Sequence, residues 1–221
     1  MTKIAILGGT GALGAALAGR LAKAGHEVCI GSRDPAKAQA AAHAMAAEST
    51  DVQVSGAGLA EAAAWGEIVF VTVPYAAHGD TLAQIRKAVS GKIVIDATVP
   101  LKPPKVGTVQ LPAAGCAALE AAKILGPEVR LVSALQNIGA EKLASGDEID
   151  ADVLVSSDDA EAANDVQAIL TELGMRSWHV GPLANSAAAE ALTSVLIQLN
   201  RRYKLVQAGI RITGKVKDAS R

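Results

Sequence analysis

The residues most able to do chemistry stand near the start of the chain. Gly8-Gly9-Thr10-Gly11-Ala12-Leu13-Gly14 follows the apolar run Lys3 to Leu7 and precedes the helical pattern Ala15, Ala16, Leu17 and Leu21. Glycines at 9, 11 and 14 satisfy Gly-x-Gly-x-x-Gly. The first permits a tight turn, the second lets the backbone approach a pyrophosphate, and the third lets helix and strand pack closely. The first amides of the helix and the positive end of its dipole then face the phosphates. The motif is weak by itself, but between a strand and a helix within about 30 residues it points to dinucleotide binding. A near match, Gly56-Ala57-Gly58, has Glu61 in place of the third glycine and opens no such unit. It reads as a turn.

The end of the second apolar run selects the dinucleotide. A site for NAD places Asp or Glu there, about 20 residues past the glycines, against the ribose hydroxyls. This chain has Ser32 and Arg33, followed by Lys37. A hydroxyl, a guanidinium able to donate a bidentate pair, and a further cation suit a 2′-phosphate, so NADP is expected over NAD. The competing reading is a solvated helix start with Asp34 as its N-cap before Pro35. Further along, Val73-Pro74-Tyr75 and His78 end the fourth run, and Val99-Pro100 follow the fifth. Ligands of open parallel sheets sit outside the carboxyl ends of strands, so these turns are candidate cofactor contacts. Tyr75 and His78 equally fit packing of the next helix.

Gly8, Gly11 and Gly14 also give the wider Gly-x-x-Gly-x-x-Gly spacing of extended short-chain dehydrogenases, but neither Tyr75 nor Tyr203 has a lysine four residues on. No nucleophile elbow or P-loop is present. The four histidines show no metal-ligand spacing, and no metal is expected. A cofactor site without an obvious proton donor suits hydride exchange between two flat rings, in which positioning carries most of the catalysis, with the rings stacked at roughly 3 to 3.5 Å.

The elements needed to hold these residues are legible in the apolar pattern. Short β-branched runs at 3–7, 27–30, 52–54, 68–73, 92–95, 129–132 and 153–155 alternate with amphipathic stretches near 11–24, 35–47, 59–64, 76–89, 113–125, 159–173 and 184–206. Several runs are apolar on both faces. That combination predicts an α/β fold of Rossmann type, a doubly wound and mostly parallel sheet with a smaller C-terminal helical part. The expected division is 1–180 for NADP binding and 181–221 for a helix and tail that complete the acceptor cleft. The proline-rich stretch 98–112 reads as an ordered loop bordering a ligand site. The last helix, with Asn185 or Ser186 as its N-cap, presents Ala187, Ala188, Ala191, Leu192, Val195, Leu196 and Leu199. This face predicts packing on the sheet or on a second subunit, hence a homodimer or higher homo-oligomer. The tail from Gly209, with Arg211, Lys215, Lys217 and Arg221, reads as a solvated end.

Composition narrows the function classes. The chain has 221 residues, 50% hydrophobic and 2% aromatic, with a net charge of −1. Five aromatic rings and no basic excess argue against a nucleic-acid partner. No apolar run reaches the ~18 residues that would span a bilayer, so no membrane partner is expected. Cys29 and Cys116 read as reduced, buried thiols of a cytoplasmic protein.

The chain resembles the NADPH-dependent reductases of coenzyme F420, an 8-hydroxy-5-deazaflavin. The likeness rests on Gly8 to Gly14, Gly31-Ser32-Arg33, Val73-Pro74, Val132-Ser133-Ala134-Leu135, Ser156-Ser157-Asp158-Asp159 and Gly181-Pro182-Leu183-Ala184-Asn185-Ser186, in order over most of the sequence. It implies a deazaflavin laid over the nicotinamide between the Rossmann domain and the C-terminal part, with small-molecule co-substrates as partners. By the same likeness Thr10 to Leu13 line the pyrophosphate, Ser32, Arg33 and Lys37 the 2′-phosphate, and Val99, Pro100 and Ala140 the nicotinamide end. Ile138 presses on the nicotinamide face, Thr193 meets the deazaflavin, and Gln136 stands where the family can carry histidine. Ala191 stands where it can carry serine. Read without the likeness, Ile138 is a core residue and Thr193 a helix threonine bonding its own backbone, while Glu141, Lys142 and Glu190 are solvated helix charges. Competing functions are an NADP-dependent reductase of a flavin, small carbonyl or imine, for which Lys142, His78 or Tyr75 would have to supply a proton, and a non-catalytic NADP-sensing module.

Overall fold

The computed structural model describes residues 1–49, 51–146 and 148–214. Six parallel strands form one sheet in the order β3-β2-β1-β4-β5-β6: β1 (Lys3–Leu7), β2 (Glu27–Ser32), β3 (Gln53–Gly58), β4 (Ile68–Val71), β5 (Ile93–Asp96) and β6 (Arg130–Ser133). The sequence dictates this through alternation with apolar residues on both sides. Ile4, Ile6, Val28, Ile30, Phe70, Ile95 and Val132 face one core. Ala5, Leu7, Cys29, Val69, Val71, Val94 and Leu131 face the other. Helices therefore cover both faces, as a parallel sheet requires. On the first face lie α1 (Ala12–Lys23), α2 (Pro35–Glu48) and α7 (Ala160–Glu172); on the second lie α3 (Leu59–Trp65), α4 (Tyr75–Ile85) and α5 (Ala117–Leu125). The order reverses between β1 and β4, and the carboxyl ends on either side of that switch open into a crevice.

A second sheet pairs β7 (Asp152–Val155) with β8 (Arg176–His179), and the last helix, α8 (Ser186–Tyr203), follows a 3-10 turn at Leu183–Asn185. A short helix, α6 (Ala140–Ala144), precedes β7. Several expectations need correction. Gly56-Ala57-Gly58 is strand, paired with Ile30, Gly31 and Ser32. A Cβ at Gly56 would stand 2.3 Å from the Ala38 carbonyl carbon, so the glycine lets α2 lie directly on the strand. The fifth helix begins at Ala117 rather than 113, after Gly115 turns at φ +102. Neither Asn185 nor Ser186 caps α8 with its side chain: the Asn185 amide donates to Val180 O at 2.6 Å, and Ser186 bonds inward. The buried face of α8 is Ser186, Ala189, Glu190, Ser194 and Leu196, leaving Val195 43% exposed.

The C-terminal segment also differs from the solvated end expected. Its described part, to Gly214, folds back along β7: Asp152 N donates to Ile210 O at 2.8 Å and Ile212 N donates to Asp152 Oδ2 at 2.7 Å. Lys215, Lys217 and Arg221 lie outside the described residues. No described helix is long and apolar enough to cross a membrane.

Candidate functional site

A cleft of about 690 Å³ opens at the switch point, lined by the turn Gly8 and Thr10 to Leu13, by Ser32 and Arg33, by Thr72 to Ala77, and by Ala97 to Val99. The glycine turn divides into two jobs. Gly11 forms the floor, where an added Cβ would meet only Gly8 O at 3.3 Å. Gly9 and Gly14 sit behind it: a Cβ at Gly14 would come within 2.6 Å of both Gly8 O and Thr72 Oγ1, and one at Gly9 within 2.9 Å of Ile30 Cγ2. They buy the close approach of helix to sheet. The N-cap of α1 is Gly11 and supplies no side-chain acceptor. Helices α2 and α7, by contrast, are capped by Asp34 and Asp159. Uncapped first-turn amides facing a cleft form an anion site.

Ser32 and Arg33 stand across the mouth. Arg33 is exposed and has no ion pair among the described residues. Asp34 is spent elsewhere, its Oδ1 accepting from Ala36 N at 3.1 Å and Lys37 N at 3.3 Å. The two readings of this segment are thus compatible: the aspartate caps the helix while the arginine remains free at the rim. Lys37 is exposed on the first turn of α2 and is not part of the lining. The amides, the hydroxyl and the unpaired guanidinium fit a dinucleotide carrying a third phosphate.

The other expected residues are less uniformly placed. Val73, Pro74 and Val99 line the cleft, together with Leu101, Pro103 and Val106 from the proline-rich loop. Pro100 is buried beside them. His78 is 1% exposed and its Nε2 lies 2.8 Å from Asp96 Oδ2, so it supports the cleft from behind. Ala140 faces a different hollow, of about 790 Å³, on the flank of α1. Gln136, Ile138 and Thr193 form a wall behind the end of β5. Gln136 Nε2 donates to Asp96 O at 2.9 Å, Thr193 Oγ1 donates to Gln136 O at 2.8 Å, and Ile138 packs in the same apolar cluster as Ala97. Leu135, buried at φ 77, turns the backbone into this wall. Holding a non-glycine residue there costs roughly 1 to 3 kcal/mol, typical of a turn kept for its geometry.

Sequence reasoning missed Thr98, which lines the cleft and whose buried Oγ1 has no partner among the described residues, as does Gln136 Oε1. It also misread Glu190, which is 1% exposed rather than solvated. Of the three side chains weighed as proton donors, Lys142 Nζ points to Asp150 O at 3.4 Å and His78 is buried. Tyr75 lines the cleft, but its hydroxyl donates to Glu120 Oε2 at 2.9 Å, and burial and that carboxylate push its pKa up to about 12.

The family model described as NADP oxidoreductase, coenzyme F420-dependent, matches residues 3–100. The F420-dependent NADP reductase of Methanothermobacter marburgensis is 41% identical over 219 residues, spanning 96% of this chain and 98% of its own. This chain belongs to the F420-dependent NADP reductase family. The corresponding protein of Methanothermobacter thermautotrophicus is 43% identical over 220 residues, spanning 96% and 94%. Among solved structures, a hypothetical protein from Sinorhizobium meliloti superposes with a TM-score of 0.70 at 26% identity, over 85% of this chain and 88% of that one. The family's model covers β1 to β5 and the turns after them that line the cleft, and the relatives extend the match through α8.

Proposed function

We propose that the protein moves a hydride between NADP(H) and coenzyme F420. The observation that carries this reading is one cleft in which the uncapped start of α1 and the unpaired Arg33 meet an apolar far wall of Val99, Leu101, Pro103 and Val106. NADPH supplies a hydride and the deazaflavin accepts it; the protein has to bind, align and dry the two. Amides of Ala12 and Leu13 take the pyrophosphate, while Ser32 and Arg33 take the 2′-phosphate, with Lys37 adding charge at longer range. Val99 and Pro100 support the nicotinamide end. Val73 and Pro74 shape the wall opposite, and the loop carrying Leu101 to Val106 excludes water, which would otherwise compete at the reacting faces.

The wall behind β5 gives this alignment its rigidity. Ile138 belongs to the apolar cluster that includes Ala97, and Thr193 ties α8 to the Gln136 carbonyl, which supports a reading in which the last helix completes the acceptor side. Of the side chains weighed as acids only Tyr75 lines the cleft, and its proton is held on Glu120. This favours ring-to-ring hydride exchange, which leaves an anion spread over the deazaflavin ring that can take its proton from water, over reduction of a carbonyl, whose localised alkoxide needs a proton delivered in the site.

The reading includes a homo-oligomer and a cytoplasmic setting. Val195, Tyr203, Leu205 and Val206 leave large apolar side chains exposed on and after α8, the composition of a surface that a second copy would cover. Cys29 and Cys116 are buried and unpaired, in keeping with a reducing compartment. The deciding experiment mixes purified protein with NADPH and, separately, oxidised F420, flavin mononucleotide and a panel of carbonyls, and follows loss of nicotinamide absorbance. Turnover with F420 is expected. Oxidation of NADPH by other acceptors with none by F420 would reject the proposal.

A further inference from the structure

Behind the cleft, α8 carries a carboxylate that hydride transfer as described does not use. Glu190 accepts Ala117 N at 2.7 Å, Ala118 N at 3.1 Å and the Ser186 hydroxyl at 2.8 Å. The two amides are the first of α5, whose own N-cap, Cys116, makes no side-chain capping bond. Glu190 thus caps a neighbouring helix. The bond to Ser186 starts a second structure.

A carboxylate only accepts, and a hydroxyl has a single hydrogen, so the direction of every bond beyond it follows. Ser186 gives its hydrogen to Glu190 and must receive from Ser133, 2.6 Å away. Ser133 must then receive from Gln136 Nε2, at 2.8 Å. The second hydrogen of that amide goes to Asp96 O, itself only an acceptor. All four links are buried, and they join α8 to the turn after β6 and to the end of β5, where Ala97, Thr98 and Val99 line the cleft.

We propose that Glu190 is a positioning residue for the transfer: its charge fixes the direction of the chain Gln136–Ser133–Ser186–Glu190 and so clamps the Gln136 turn against β5. This rests on the hydride-transfer reading above. Without the charge, a hydrogen on Glu190 Oε1 meets the Ser186 oxygen and the chain can reverse. Ser133 would then receive from Ser186, and its own buried hydrogen would either lose its partner or face Gln136 Nε2, which cannot accept, loosening the hold of that amide on Asp96 O. Cleft walls displaced by about an ångström cost as much as a hundredfold in rate. The titratable groups interacting with Glu190 are Asp96 on β5, Cys116 before α5, and His78 and Tyr75 on α4, with Glu120 of α5 facing the last two. Burial outweighs the three donors and pushes Glu190 up to about 7, so its charge changes near neutrality.

The test compares wild type, Glu190→Gln and Ser186→Ala. The second variant cuts the chain while leaving the bonds of Glu190 to α5 in place, so it stands if the first does not fold. In ligand-free protein labelled with nitrogen-15, exchange of the Gln136 side-chain amide hydrogens should quicken roughly tenfold or more in each folded variant. With substrates, kcat should fall roughly ten- to a hundredfold while the Kd for NADPH stays within about twofold, and the acid limb of the wild-type kcat profile near neutrality should vanish in Glu190→Gln. Folded Ser186→Ala with wild-type exchange and wild-type kcat would overturn the proposal. So would parallel losses in kcat and NADPH affinity, which would mark a general structural role. If wild type fails to turn over F420, the functional reading falls and the exchange measurement alone judges the chain.

Discussion

His78 Nε2 lies 2.8 Å from Asp96 Oδ2 with both side chains almost wholly buried, and the other oxygen of Asp96 accepts Thr98 N at 3.0 Å. One carboxylate therefore fixes α4 and the first cleft-lining residues after β5. Burial alone would lower the His78 pKa, but its bond to Asp96 and the charges of Asp96, Glu120 and Glu190 leave it raised above 6.5. A raised folded value means the stabilisation is complete below the unfolded pKa and is lost as pH rises through the folded one. Proton NMR of His78 is expected to show a midpoint above 6.5 in wild type. In Asp96→Asn the midpoint should fall, because desolvation is then opposed only by the charges of Glu120 and Glu190; a midpoint that does not move would remove Asp96 as the main source of the shift.

In the proposed reading Arg33 selects NADP. Arg33→Ala should weaken NADPH by roughly 1.5 to 3 kcal/mol, the range for a hydrogen bond to a charged group, with little change for NADH. Fluorescence titration with each dinucleotide reads the difference directly. Equal losses would contradict a 2′-phosphate contact.

Gly14 should respond differently. A Cβ there meets Gly8 O, Thr72 Oγ1 and Gly9 Cα, all within 2.7 Å, and two of the three are backbone atoms that cannot swing aside. Gly14→Ala is expected to destabilise by about 1 to 3 kcal/mol through overpacking and to weaken NADPH and NADH alike, since the turn itself shifts. Denaturant unfolding and the same titrations check both halves.

Glu190 has the opposite sign from an ordinary exposed carboxylate. Its folded pKa of about 7 lies above the unfolded value of 4.5, so the folded state keeps the proton between these limits and stability falls as pH rises across them. The full swing is at most roughly 3 kcal/mol at 1.36 kcal/mol per pKa unit. Guanidinium unfolding at pH 5 and pH 8, which take in most of that window, should show a larger loss for wild type than for Glu190→Gln. An equal loss in both would remove Glu190 as its source.

The glycine turn and the rim of the cleft were legible because their signals are local. Gly9, Gly11 and Gly14 need only their own turn, and Arg33 needs only the end of β2. The acceptor side was not, because its contacts are between distant segments. Glu190 reads as one more charge on an alanine-rich helix; what buries it is an uncapped α5 that starts 73 residues earlier in the chain, at Ala117. His78 looked like a contact at the head of a helix; its partner Asp96 stands 18 residues on, at the end of β5. Gly56 looked like a turn because the α2 backbone that its missing Cβ admits is invisible in the strand's own sequence. Strand β8 was overlooked because Arg176-Ser177-Trp178-His179 is polar and pairs on one side only with β7.

The folded-back C-terminal segment gives the last expectation. Asp152 is 1% exposed and holds four donors: Arg176 Nε at 2.6 Å and Nη2 at 2.7 Å, Trp178 Nε1 at 3.0 Å and Ile212 N at 2.7 Å. Arg176 in turn donates to Ile212 O at 3.3 Å, so the segment is gripped through both its amide and its carbonyl. The bond from Arg176, helped by those from the Ile212 amide and the Trp178 indole, holds the Asp152 pKa down at about 2 against opposing desolvation. A depressed folded value means the stabilisation is present above the unfolded pKa of 3.8 and is lost as pH falls from there through about 2. Asp152→Ala strands the indole and the Ile212 amide without an acceptor, so hydrogen exchange at Ile212 should rise at pH 7, and the loss of wild-type protection below pH 3.8 should have no counterpart in the variant. Because Gln207, on the same segment, packs on Gly139 and donates to Glu141 Oε2 at 2.9 Å, its release should also raise exchange across α6. Unchanged protection at Ile212 and across α6 in the variant would show that the segment is held by its apolar contacts instead.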